Sequence, residues 1–72
     1  MSKSARIVEI ERHRLSDGGL ALVNRLGRKY SFTRTYDSFE RAPDITFDLD
    51  KKTALNMLAD TLRNDLLEVL DG

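Results

Sequence analysis

With 12 Lys+Arg against 12 Asp+Glu, the 72 residues carry no formal net charge, which argues against the strong nonspecific DNA affinity that neutralising many phosphates provides. A chain this short holds one core, and without cysteine it has no disulfide and no Cys-based zinc or redox site to reinforce it. No apolar run approaches the roughly 18 residues of a membrane span, and MSKSAR lacks the apolar centre of a secretory leader, so a soluble, cytoplasmic protein is expected.

Arg6 to Leu15 (RIVEIERHRL) reads as a first strand, ended by the turn residues Ser16, Asp17, Gly18 and Gly19. Leu20 to Leu26 is a second strand, closed by Gly27. Tyr30 to Tyr36 (YSFTRTY) alternates ring and hydroxyl, a strong strand signal, and Ile45 to Leu49 alternates again. Between these two, DSFERAPD reads as a loop, with Phe39 expected to anchor it in the core and Pro43 holding Ala42 out of helical geometry.

From Lys51 the period changes to that of a helix reaching residue 70. Asp50 is placed to cap it, and Leu55, Leu58, Ala59, Leu62, Leu66, Val69 and Leu70 fall on one stripe. The pattern predicts a single α+β domain over residues 1–72, with a four-stranded antiparallel β-meander packed on one C-terminal α-helix (ββββα).

The apolar helix stripe needs a sheet face to cover. On the third strand that face is the row Tyr30, Phe32, Arg34 and Tyr36, because the alternate row is Ser31, Thr33 and Thr35. The expected partners are Leu20, Leu22, Asn24 and Leu26 on the second strand, Val8 and Ile10 on the first, and Ile45, Phe47 and Leu49 on the fourth. This alignment requires an odd-length first connection, placing Val8 beside Leu26 and Arg12 beside Leu22. It also requires a three-residue turn, Gly27-Arg28-Lys29, so that Leu26 meets Tyr30.

The aromatic-basic run RLGRKYSFTRTY resembles sheets that stack RNA bases on open aromatic rings. Covering by the helix consumes Tyr30 and Phe32, so the run is expected to be mainly core. Arg12, Arg14, Arg34 and Tyr36 are left as a basic end of that row, suited to phosphate or an acidic protein surface. The competing reading pairs Arg34 with a helix acid and lets the arginine stems cover apolar edges. Arg25, Arg28 and Lys29 at the second hairpin could rest on backbone phosphates or form a solvated turn.

Charge is polarised along the chain: residues 1–36 carry eight basic and three acidic side chains, and residues 37–72 carry four and nine. Asp60, Asp65 and Glu68 give the helix an acidic outer face able to dock on a basic surface. His13 has Glu9 and Glu11 nearby but no framing nucleophile, and Asp44, Asp48 and Asp50 lack the spacing of a calcium loop. Neither an enzyme nor a metal or cofactor site is expected.

In general profile (short, cysteine-free, charge-polarised, without a catalytic signature) the chain resembles small phage-encoded or mobile-element antagonists such as anti-CRISPR proteins. That resemblance implies a regulator or inhibitor that occludes a functional surface of another protein or nucleoprotein complex. Arg12, Arg14, Arg34, Tyr36, Arg28, Lys29, Asp60, Asp65 and Glu68 are the candidate contacts. A nucleic-acid-binding regulator using the basic hairpin between the second and third strands is the alternative, and open sheet edges make self-association as a homodimer a further expectation.

Overall fold

The computed structural model describes residues 6–71. Four strands, β1 (Ile7–Arg14), β2 (Leu20–Leu26), β3 (Lys29–Arg34) and β4 (Asp44–Leu49), form one antiparallel sheet in the order β1-β2-β3-β4. The helix α1 (Lys51–Asp71) crosses one face, above β2 and β3. This is the ββββα architecture expected from the change of period at Lys51. Asp50 caps the helix, its Oδ1 accepting the Thr53 backbone N–H at 2.7 Å.

The register differs from the expectation on β2. Its connection to β3 is two residues, Gly27 and Arg28, with Gly27 at φ +67°, so Leu26 pairs with Lys29 and Arg25 with Tyr30. A two-residue hairpin with glycine first matches the twist of the strands it joins. One residue of slip exchanges the two faces of a strand. Ala21 and Val23, both fully buried, therefore face the helix, while Leu20, Leu22, Asn24 and Leu26 lie on the outer face. This choice keeps the Asn24 amide out of the core, where an unpaired polar group is costly.

Two further shifts come from extra residues. On β1 the register slips between Glu9 and Glu11, so Ile10 sits in a bulge and is 37% exposed. Before it, Ile7 and not Val8 pairs with Leu26; past it, Arg12 pairs with Leu22 and Arg14 with Leu20 as expected, but on the outer face and not in the helix-side row. On β4, Asp48 takes φ 60°, rare for a residue with a side chain. That turn lets Leu49 pack with the helix-side core while Ile45, paired with Thr33, faces outward beside Phe47.

The core is correspondingly small. Among the described residues only Leu15, Ala21, Val23, Phe32, Ala54 and Leu58 are buried apolar side chains. Tyr30, Leu49, Leu55, Met57 and Leu62 pack around them half-exposed. Phe39, expected as a core anchor, stands fully in solvent on the β3–β4 loop. The helix that was to receive it packs on β2 and β3 instead.

The turn between β1 and β2 ties sheet to helix. Leu15 folds back into the core, its N–H donating to the Gly19 carbonyl at 2.8 Å. Ser16 donates its backbone N–H (3.0 Å) and its hydroxyl (2.6 Å) to the Asp65 carboxylate. Asp65 thus fastens α1 to the β1–β2 turn.

Candidate functional site

The flipped β2 gives the sheet an outer face that, among the described residues, no other element covers. Ile7 and Leu26 are paired neighbours there, 66% and 42% exposed, with Ile45 and Phe47 at 49% and 62%. They surround a shallow depression of about 280 Å³ whose polar floor includes Asn24, Ser31 and Thr33, with Lys29 and Asp48 also lining it. Contiguous exposed apolar side chains with polar groups around them mark interaction sites on soluble proteins. Arg12 and Arg14 extend the same face toward the opposite end, Arg12 carrying Glu9 as an ion-pair partner at 2.9 Å.

The basic group expected to act together is divided by the sheet. Arg12 and Arg14 are on the outer face, whereas Arg34 and Tyr36 line a cleft between β3, β4 and the helix, together with Asp44, Asp65 and Glu68. Arg34 does not rely on a helix acid. Its guanidinium meets the Asp17 carboxylate of the β1–β2 turn (Nη2 to Oδ2, 3.1 Å) and donates to the Thr35 carbonyl at 3.0 Å. With the side chain only 19% exposed, the charge is held where it is paired.

Tyr36 is similarly engaged: the Arg34 and Arg41 guanidinium carbons lie 4.4 and 3.7 Å from its ring centroid. Its hydroxyl donates to Asp44 at 2.6 Å, which raises the phenol pKa above its ordinary value. At the hairpin, Arg28 occupies the turn and is exposed, Lys29 lines the outer depression, and Arg25 donates to the Gly27 carbonyl at 3.3 Å. Asp60 is exposed on the helix, apart from the cleft lined by Asp65 and Glu68. His13 contacts Glu11 at 2.8 Å, and among the described residues no group of three or more His, Asp or Glu is arranged to hold a metal ion.

Ile45 and Phe47 belong to the candidate site, although alternation assigned them to the core. The missed signal is Asp48, since aspartate tolerates a left-handed backbone better than most side chains.

The carboxylates define an acid limit. The Gly19 N–H first, and then Arg34, hold Asp17 below the usual carboxylate range, and Thr53 does the same for Asp50. A carboxylate with a lowered folded pKa contributes stability above its unfolded pKa of about 3.9, and that contribution disappears as pH falls through the folded value. Thermal melts should therefore be flat from neutrality to about pH 5 and decline below pH 4. Asp17→Asn should begin from a lower melting temperature and decline less steeply.

Among the described residues no helix is long and apolar enough to cross a membrane. Comparison with protein-family models, with curated proteins and with solved structures returns no match for this chain.

Proposed function

We propose that this protein is a non-enzymatic binding module that occludes a surface of a partner protein through the outer face of its sheet. The observation that carries this reading is the exposure of Ile7, Leu26, Ile45 and Phe47 around one depression, in a chain with so few buried apolar side chains. A depression of about 280 Å³ has room for an inserted apolar side chain. Arg12, Arg14 and Lys29 on the same face favour an acidic surround on that partner, because complementary charge speeds encounter and fixes orientation. Phe47 is the anchor: an aromatic that enters an interface buries a large area at little cost in side-chain freedom.

The test is affinity capture from a bacterial lysate with and without nuclease, repeated with Phe47→Asp and with Arg25, Arg28 and Lys29 changed together to alanine. A discrete protein retained after nuclease should bind at least about 30-fold more weakly to Phe47→Asp, the loss of a strong anchor. The hairpin change should alter the salt dependence and leave most of the affinity. Recovery of nucleic acid alone, abolished by the hairpin change and by high salt, would replace this reading with a nucleic-acid-binding one.

A further inference from the structure

We infer that the end of the molecule formed by the β2–β3 hairpin and the start of α1 seats the phosphate backbone of double-stranded DNA, with the hairpin tip in the major groove. This goes beyond the function proposed for the outer sheet face, which concerns a protein partner. Strand pairing brings the groups together. Ile7 pairs with Leu26, Leu26 with Lys29 and Tyr30 with Leu49, so β1 begins, β2 turns into β3, and β4 runs into α1 at one end of the sheet. Arg6, Arg25, Arg28, Lys29, Lys51 and Lys52 gather at that end, all exposed. Among the described residues none of the six forms an ion pair. Asp48 and Asp50 are the acids beside them, and Glu9, further along β1, is held by Arg12.

Asp50 is already engaged, accepting the Thr53 N–H at 2.7 Å, so the helix start is capped from within and phosphates are met by side chains. Thr53 holds the Asp50 carboxyl below its usual range, and Lys29 and Lys52 add to the effect, which sets both ammonium groups near this junction. The zero net charge of the chain conceals such a pole. Six bases stand against two acids here, while Glu68 and Asp71 close the far end of α1, about 25–30 Å away at 1.5 Å per residue. A local excess of one sign attracts a polyanion even where the total is zero.

Shape selects the duplex. A methyl group at Gly27 would meet nothing within 4 Å, so the two-residue turn stands clear of the rest of the chain. Arg28 lies in that turn. Lys29 lines the depression of the outer face, whereas Arg25 pairs with Tyr30 on the helix side and donates from Nη1 to the Gly27 carbonyl at 3.3 Å. The ribbon therefore carries a cation at its tip and one on each of its two faces. A lipid surface is flat and meets one face of such a wedge. The two phosphate walls of a groove meet both. The major groove of B-form DNA, about 12 Å wide, admits a two-stranded ribbon, whereas that of A-form RNA is too narrow for side chains to read. Lys51 and Lys52 then rest on the flanking backbone. Phosphate contacts of this kind fix position without reading sequence.

Fluorescence anisotropy of a labelled duplex about two helical turns long should show binding by the purified full chain at low salt. Affinity should fall at least about 100-fold between about 50 and 200 mM salt, as counterions return to four or more phosphates. Arg25, Arg28 and Lys29 changed together to alanine should weaken binding by at least about 10-fold and reduce the logarithmic salt slope by about three, one for each phosphate lost. Lys51→Ala combined with Lys52→Ala should act in the same direction. All five side chains are exposed, so the circular dichroism spectrum should not change. Arg28→Ala should cost about 5-fold, and Arg63→Ala, which removes the same charge from an exposed position on α1, less than about 2-fold. No binding at low salt, equal effects of Arg28→Ala and Arg63→Ala, tighter binding to either single strand, or binding only to phosphatidylserine vesicles would overturn the inference. No partner protein is present in this assay, so its failure would leave protein capture through Phe47 to be judged separately.

Discussion

Phe32→Ala should lower stability by about 3–5 kcal/mol, the cost of emptying a phenylalanine site in a packed core. Phe32 is 6% exposed and is the one aromatic among the six buried apolar side chains. Across the sheet it pairs with Val23 on one side and Thr46 on the other, under the helix that buries Ala54 and Leu58. A domain of this size has a total stability of roughly 4–11 kcal/mol. The substitution therefore removes about a quarter or more of it, and the melting temperature should fall by at least about 12 °C. Phe47→Ala makes a sharp control. At 62% exposure on the outer face, it should change stability by no more than about 0.5 kcal/mol. A larger loss for Phe47→Ala than for Phe32→Ala in urea titrations would show that the helix covers the other face of the sheet.

Gly19→Ala should be the more damaging of two glycine substitutions. A methyl group there would overlap the carbonyl oxygen of Thr35 and press on the Arg34 guanidinium. The Thr35 backbone has no freedom to retreat, because its N–H donates to Leu20 and its hydroxyl accepts the Leu20 N–H, each at 2.9 Å. Overpacking against fixed backbone costs about 1–3 kcal/mol, and here the strand pairing next to it would be disturbed as well. Gly27→Ala meets open space, so only its φ of +67° opposes the change, at about 1 kcal/mol. The urea midpoint should fall further for Gly19→Ala than for Gly27→Ala. The reverse order would mean that the Leu20–Thr35 hydrogen bonds yield more readily than their geometry indicates.

The order and type of the elements were legible because their periods are clear: ring and hydroxyl alternate along Tyr30–Tyr36, and leucines recur at helical spacing after Asp50. The outward rows were not. Glycine turns of two and three residues are both ordinary chemistry, and choosing between them exchanges Leu22 with Val23. Leucine outweighs alanine in any hydrophobic count, yet Ala21 and Val23 are the fully buried pair. The one sign against the leucine row was Asn24 in its middle. The Arg34 partner, Asp17, was hidden for a similar reason: a turn residue reads as a turn former, and only the folded hairpin shows that its carboxylate also reaches β3. Phe39 carried no local signal of exposure.

The two bulges share a position in the architecture. One lies at Ile10 and the other at Phe47–Asp48, on the two outermost strands, whereas β2 and β3 pair without interruption. An outermost strand presents unsatisfied N–H and C=O groups, a ready template for endless cross-β growth. An extra residue distorts that template at each border, increasing the local twist and hindering another strand from continuing the ladder. The domain can therefore keep a hydrophobic sheet face in water while its borders discourage fibril formation.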